Sequence, residues 1–199
     1  MITVRQMERL WQSKSYERLF RELLAARQEA SLRMQLELGR SIPAAALAII
    51  RLDELSQTYV PLYSQLIRTV LNDQHSDGGW GDPMTTAICL RALMCGQGHG
   101  IAIDRGLLYL ANMQKPEGIW PNVPIRRMPA DPYVSAFILL QLGDKPTFRQ
   151  AVRFFDALNR FESNETQLDP DTRKMWDRAS TRCGLNISER PVGRAALWS

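Results

Sequence analysis

The sequence predicts an all-α fold built from repeated helix pairs joined by short turns. Its clearest signal is a phrase that occurs twice, 40 residues apart: a glutamine, a glycine four positions later and a tryptophan six positions later. The two copies are Gln74, Gly78 and Trp80, and Gln114, Gly118 and Trp120. A fixed period of this length is typical of repeat architectures. Asp-Pro pairs predict further helix starts, and no stretch of useful length alternates apolar and polar residues as a strand would.

In chain order, the pattern predicts an N-terminal helical extension over 1–40, a repeat core over 41–162 and a basic C-terminal helix and tail over 163–199. Ser41 and Pro43 open the first core helix, AAALAIIRLDEL. The next apolar run, VPLYSQLIRTVLND, leads directly into Gln74. Each glutamine phrase therefore closes one helix and precedes another.

Three Asp-Pro pairs predict the starts of later helices. Aspartate accepts hydrogen bonds from first-turn amides, and proline loses nothing at the first helical position because its missing N–H would have no partner there. The pairs are Asp82-Pro83, Asp131-Pro132 and Asp169-Pro170. Each of these helices is expected to end at a glycine in the left-handed conformation. These glycines are Gly96, Gly143 and Gly184.

Two further helices are predicted between these, capped by Asp104 before RGLLYLANMQ and by Thr147 before FRQAVRFFDAL. The turn after Trp120 carries an insertion, PNVPIRRMPA, and insertions in repeat proteins often form the binding face. A glycine-rich loop, GQGHG, contains His99. Its glycines would permit close approach of a ligand, although a lone loop histidine is more often simply solvated.

Composition and charge narrow the class of protein. The chain has no apolar run of membrane-spanning length and no signal-peptide core, so a cytoplasmic protein is expected. Three cysteines without a CxxC pair predict buried thiols, with no metal and no cofactor. The formal net charge of +4 is unevenly placed, because the C-terminal segment is rich in basic residues. These are Arg173, Lys174, Arg178, Arg182, Arg190 and Arg194.

The stretch from Arg105 to Trp120, RGLLYLANMQKPEGIW, resembles the QW repeat of squalene–hopene and related terpene cyclases. The stretch from Gln74 to Met94 is similar to the same repeat followed by its inner helix. The resemblance implies an α/α toroid of paired helices, shared with protein prenyltransferases, in a short or partial form. It also implies that the repeated glutamines, glycines and tryptophans are structural.

The residues that would perform the family's chemistry are missing or ambiguous. The protonating DxDD motif does not occur, and the weak candidates for a catalytic acid are Asp131, Asp169 and Asp171, whose Asp-Pro context also predicts helix capping. His75 and His99 form no pair of zinc ligands. The sequence therefore leaves open whether the protein is an enzyme.

Two functional hypotheses follow. In the first, the protein binds an isoprenoid or other apolar ligand, with Arg126 and Arg127 holding a diphosphate and Tyr133 and Phe137 lining an apolar space. In the second, the fold is a non-catalytic scaffold whose basic C-terminal helix contacts a protein or, less favoured, a nucleic acid. A closed toroid needs about a dozen helices, more than this chain holds at ordinary helix length. A homo-oligomer or a partner protein is therefore expected to complete the helix layer.

Overall fold

The computed structural model describes residues 42–125 and 128–185. All regular structure in these residues is helical, which confirms the predicted all-α class. The predicted extension over 1–40, together with Ser41 and residues 186–199, lies outside the described part of the chain. The helices are α1 (Ile42–Glu54), α2 (Pro61–Asn72), α3 (Pro83–Leu93), α4 (Gly100–Met113), α5 (Pro132–Leu142), α6 (Pro146–Ala151), α7 (Phe154–Asn164), a 3₁₀ turn (Glu165–Gln167) and α8 (Pro170–Arg182).

The chain divides into two compact units, the first ending at Asn112 and the second beginning at Met113. In the first unit α1 packs against α2 and α3, and in the second α8 packs against α5. Helices α3 and α5 are buried almost along their whole length. Helix α5 is apolar on all sides, as expected of a helix that is covered on every face.

All three Asp-Pro pairs begin helices as predicted. The Asp82 carboxylate accepts hydrogen bonds from two first-turn amides at 2.9 and 3.0 Å, and Asp169 accepts two at 3.1 Å. Asp131 accepts one, from the amide of Val134 at 3.2 Å. In each case proline occupies the first helical turn. These aspartates satisfy N–H groups that have no partner within the helix.

Of the three glycines predicted to end helices, Gly143 does follow α5 directly, but only one of the three has the predicted left-handed conformation. Gly184 follows α8 with φ of +82°, in the left-handed region. Gly143 has φ of −64°, and Gly96 is not among the glycines with positive φ. At Gly143 the requirement is one of space, because a Cβ there would collide with Sγ of Cys183 and would lie 2.5 Å from the Leu139 carbonyl oxygen. Close packing of α8 on α5 therefore explains this glycine.

Two predicted caps are wrong. Asp104 lies inside α4, which begins four residues earlier at Gly100, and the carbonyl of His99 accepts the first helical hydrogen bond from Ile103 at 3.0 Å. Thr147 also lies inside a helix, since α6 begins at Pro146. The predicted continuous helix after it is broken at Val152, whose backbone is extended, with φ of −120° and ψ of 166°. Helix α7 starts after this break.

Candidate functional site

The first repeated phrase forms a tight turn, the Gln74 turn (residues 74–80), which joins α2 to α3. The Gln74 side-chain amide donates at 2.8 Å to the carbonyl of Gly78 within the turn and at 2.8 Å to the carbonyl of Ala102 in α4. Gly78 has φ of +91°, and a Cβ at this position would collide with the backbone carbonyl of Arg105. Glycine is needed here for both its conformation and its small size.

Trp80 is the last residue of this turn and lies in the core of the first unit. Its side chain is buried, and the indole N–H donates to the carbonyl of Val70 at 2.7 Å. Its backbone N–H donates to the hydroxyl of Thr86 in α3 at 3.0 Å. The turn is thus fixed to the helix that precedes it and to the helix that follows it.

The second phrase forms the Gln114 turn (residues 114–120) in the second unit. The Gln114 amide nitrogen donates to the carbonyls of Gly118 at 2.7 Å and Arg153 at 3.1 Å, and its oxygen accepts from the backbone N–H of Arg153 at 2.8 Å. The Arg153 guanidinium donates in return to the carbonyl of Lys115 at 2.7 Å. Gln114 is buried in spite of its polar side chain.

Trp120 is fully buried and stacks on Phe148, with ring centroids 6.1 Å apart. Its backbone N–H donates to the hydroxyl of Ser135 in α5 at 2.8 Å. Ser135 therefore corresponds to Thr86 of the first turn. In both turns the repeated glutamine binds backbone carbonyls and the repeated tryptophan is buried, so these residues serve to join helices.

The three weak candidates for a catalytic acid lie at helix starts. The carboxylates of Asp131 and Asp169 accept hydrogen bonds from first-turn amides, and Asp171 lies exposed in the first turn of α8. The hydrogen bond from the Thr172 hydroxyl, together with those from backbone amides, lowers the pKa of Asp169. An aspartate with a lowered pKa is ionised at neutral pH and carries no proton to give to an alkene.

The residues predicted to line an apolar space lie one helical turn apart on α5. Phe137 is fully buried in the core of the second unit, whereas Tyr133 is partly exposed at the start of the helix. Arg126 and Arg127, the predicted diphosphate ligands, lie outside the described residues. Their neighbours in the insertion are described, and Ile125 is 55% exposed and Met128 43% exposed.

Basic residues of α8 are partly engaged within the second unit. The Arg173 guanidinium donates to the carbonyl of Glu165 at 2.9 Å, and Arg182 pairs with Asp144 at 3.1 Å. Arg190 and Arg194 lie outside the described residues. The basic segment therefore has local structural partners that its composition did not indicate.

Cys89 and Cys183 are buried, and Cys95 is partly exposed. Burial raises the pKa of Cys183 to about 11, so its thiol stays protonated at neutral pH. Within residues 42–125 and 128–185, no three side chains among His, Cys, Asp and Glu come together as a metal site would require. None of the helices in this part of the chain combines the length and the apolar character that a membrane span requires.

A further cluster lies beside the GQGHG loop of the first unit. A Cβ built on Gly96 would lie 3.4 Å from Nε2 of His99 and 3.6 Å from the hydroxyl oxygen of Tyr63. Tyr63 lies on α2, and its side chain is 8% exposed. The sequence drew attention to His99 but not to Tyr63, because the two residues meet only after α2 and the loop have folded together.

Comparison with protein-family models, with curated proteins and with solved structures finds no match to this chain.

Proposed function

We propose that this protein is a short QW-repeat helical protein that binds an isoprenoid, or another apolar ligand with an anionic head, and does not transform it. The observation that carries this proposal is the pair of exposed apolar side chains in the insertion, Ile125 at 55% and Met128 at 43%. In the sequence they lie on either side of Arg126 and Arg127. Apolar residues adjoining two guanidinium groups match a ligand with an apolar chain and a phosphate head.

The physical chemistry of such a site divides between head and chain. A guanidinium presents donors in a planar fork that matches the oxygens of phosphate, and two adjacent arginines would suit a diphosphate. When a ligand covers apolar side chains that were exposed to water, the binding free energy becomes more favourable by about 25 cal/mol for each Å² of apolar surface removed from water. Tyr133, partly exposed where α5 begins, follows the insertion and would extend the apolar contact.

Binding without catalysis is favoured by the state of the acids. Asp131 and Asp169 both accept hydrogen bonds from helix amides, and at Asp169 the bonds from the Thr172 hydroxyl and the amides lower the pKa and favour the ionised carboxylate. A cyclase that protonates an alkene needs the opposite, a carboxylic acid that carries a proton and faces the substrate. The helix-joining geometry of the Gln74 and Gln114 turns supports the QW-repeat part of the proposal.

The test is titration of the full chain with farnesyl diphosphate, followed by calorimetry. Saturable binding is expected, and the double variant Arg126→Gln, Arg127→Gln should weaken it about tenfold or more, since each arginine contributes a charged hydrogen bond. Ile125→Ser with Met128→Ser should weaken it severalfold. Arg160→Gln is the matched control, because Arg160 is an exposed arginine of the same unit on α7.

Two results would contradict the proposal. One is the absence of saturable binding by the unaltered chain. The other is equal loss of binding in the Arg160→Gln control, which would show that total positive charge, rather than the insertion, attracts the ligand. Product analysis after long incubation distinguishes binding from turnover: cyclised or hydrolysed ligand would contradict the non-catalytic part of the proposal.

A second candidate function, self-assembly as a scaffold, is favoured by α4. Ile101 is 82% exposed and Leu108 is 60% exposed, and they lie seven residues apart on one face of this helix. Such a face would be covered by a second copy of the chain in a homo-oligomer. Sedimentation across micromolar concentrations tests this: Ile101→Ser with Leu108→Ser should shift an oligomer to monomer, and a wild-type chain that is always monomeric would refute it.

A further inference from the structure

The exposed side of α4 is apolar along its middle and charged at both edges. Ile101 is 82% exposed and Leu108 is 60% exposed, and they lie about two helical turns apart in one line. Successive residues of an α-helix are about 100° apart around its axis, which places Asp104 and Arg105 about 50° to either side of that line. Both charged residues are exposed. The side of α4 that faces away from the core of the first unit therefore has a regular pattern of apolar and charged groups.

No other helix in the described part of the chain exposes two large apolar side chains. Helix α7 is the equivalent of α4 in the second unit, because a Cβ at Gly118 would meet its backbone just as a Cβ at Gly78 would meet the backbone of α4. Of the large apolar side chains of α7, only Phe155 is exposed, and the residue seven positions later is Glu162. The paired apolar positions are thus specific to α4 and are not required by the repeat.

Both charged groups of this surface have capacity for a partner outside the chain. Nη2 of Arg105 donates to the carbonyls of His75 at 2.9 Å and Ser76 at 3.3 Å in the Gln74 turn, whereas Nε and Nη1 have no partner among the described residues. A guanidinium that is already held in place loses little freedom when it forms a further pair. The Asp104 carboxylate forms no ion pair with any described residue. An acid and a base with unused bonding capacity therefore lie beside the exposed apolar line.

This pattern is complementary to a second copy of itself in one orientation. When two parallel helices pair about a two-fold axis along their length, each residue in the middle faces its own counterpart, and the left edge of one helix faces the right edge of the other. Ile101 and Leu108 would then meet their counterparts, while Asp104 of each copy would face Arg105 of the other. In an antiparallel pair like edges meet, so Asp104 would face Asp104 and Arg105 would face Arg105. Like charges in contact oppose association, so the charges favour the parallel pair.

We propose that α4 pairs in parallel with α4 of a second copy of this chain. Ile101 and Leu108 form the centre of the contact, and Asp104 forms an ion pair with Arg105 at each edge. This inference rests on the self-assembly proposed above as the second candidate function, and it adds the orientation of the two copies and the charges that select it. Burial of the apolar side chains drives association, and the ion pairs give specificity. One helix from each copy is a small contact beside the roughly 1,200–2,000 Å² of a stable interface, so we expect a dissociation constant on the order of 10 µM.

The experiment measures self-association of the full chain by sedimentation across micromolar concentrations at low salt. Asp104→Arg and Arg105→Asp should each weaken association about tenfold or more, because each variant places like charges at both edges of the contact. An equimolar mixture of the two variants should associate as tightly as the wild type, since every edge again joins opposite charges. Arg160→Asp is the control, because it makes the same change of net charge as Arg105→Asp at an exposed arginine of α7, and it should associate like the wild type.

The mixture and a neutral variant separate the proposed pairing from other causes of weak association. Recovery in the mixture would show that both charge variants are folded, so that a lost contact is distinguished from a lost fold. Asp104→Asn tests the orientation, because in the parallel pair it removes an attraction and should weaken association. In an antiparallel pair the same change removes a repulsion, and tighter association of Asp104→Asn would overturn the proposal.

Two further results would overturn the parallel pairing of α4. One is an oligomer that is lost in the variant Ile101→Ser with Leu108→Ser but is unchanged by either charge reversal. Self-assembly through α4 would then stand, and the proposed orientation would be wrong. The other is a wild-type chain that is monomeric throughout, which would leave α4 to a different partner and would refute both the pairing and the self-assembly.

Discussion

In the Gln74 turn the glutamine side chain binds two carbonyls through its nitrogen, whereas in the Gln114 turn the nitrogen does the same and the oxygen accepts a third hydrogen bond. The donor of that third bond is the backbone N–H of Arg153. Gln114 is also 7% exposed, while Gln74 is only partly buried. The same residue at the same spacing is thus held more firmly in the second unit.

The difference comes from the backbone segment that each glutamine contacts. Ala102, the partner of Gln74, lies within α4. Arg153, the partner of Gln114, lies between α6 and α7, directly after the extended backbone of Val152. The break leaves the amide of Arg153 outside a helix, where Gln114 satisfies it. One motif can therefore join a continuous helix or support an interrupted one.

The largest expected loss of stability comes from replacing the tryptophans. Trp120→Ala should destabilise the second unit by about 3–5 kcal/mol, because it leaves a cavity and removes the stacking partner of Phe148. Trp80→Ala should cost a similar amount in the first unit, where the indole N–H also binds the carbonyl of Val70. Hydrogen exchange resolved by residue would measure both. Equal loss of protection throughout the chain for either variant would contradict independent roles for the two turns.

The next largest effect on stability is expected from replacing the two glutamines, which directly compares the Gln74 turn with the Gln114 turn. Gln114→Ala should cost about 2–4 kcal/mol, because it leaves the amide of Arg153 and two carbonyls without their partner in a buried site. Gln74→Ala should cost about 1–2 kcal/mol, since two carbonyls lose a donor where water has partial access. Urea unfolding of both variants gives the difference. Equal costs would show that the third hydrogen bond adds nothing.

Local chemistry explains why much of this fold could be predicted from the sequence. An Asp-Pro pair begins a helix through bonds to its own next residues, and Gly78 and Gly118 both adopt the positive φ that a sharp turn requires. Asp104 and Thr147 failed because capping preference is weak beside tertiary packing. The helix starts were instead set at Gly100 and Pro146.

The candidate sites were less accessible to sequence reasoning. Tyr63 and His99 face one point beside Gly96 because α2 and the GQGHG loop meet in the folded unit. Position 143 has no room for a side chain because Cys183, at the end of α8, packs against it. No residue near position 143 in the sequence indicates that contact. Contacts between distant segments depend on the packing of whole helices, which periodicity within one segment does not encode.

The hydroxyls that fix the tryptophan backbones provide a smaller test. Thr86→Val and Ser135→Ala each remove the acceptor of a buried tryptophan N–H, from Trp80 at 3.0 Å and Trp120 at 2.8 Å. Each should cost about 1–2 kcal/mol, the penalty for a buried donor without a partner. The cost should be the same in the two units, and urea unfolding of each variant measures it. A cost below about 0.5 kcal/mol in one unit alone would mean that water replaces the hydroxyl there.

The smallest effect on stability is expected at the start of α8, a helix of the second unit that has no glutamine turn before it. Asp169→Ala should cost about 1 kcal/mol at neutral pH through loss of the cap. The pKa of Asp169 is lower in the folded chain than in the unfolded one, chiefly because the Thr172 hydroxyl donates to the carboxylate. Protons therefore bind the unfolded state more readily, and the cap's contribution is fully present above pH of about 4.

As the pH falls below that value and through the folded pKa of Asp169, the difference in unfolding free energy between wild type and Asp169→Ala should shrink. Thr172→Val should bring the pKa of Asp169 back towards its ordinary value, as followed by carboxyl NMR shifts. The difference in unfolding free energy between wild type and Asp169→Ala could instead grow on acidification. The folded state would then favour the protonated carboxyl group, and an acid role for Asp169 would regain support. If the difference shrank, α8 would begin by the same capping chemistry as α3, with no glutamine turn required.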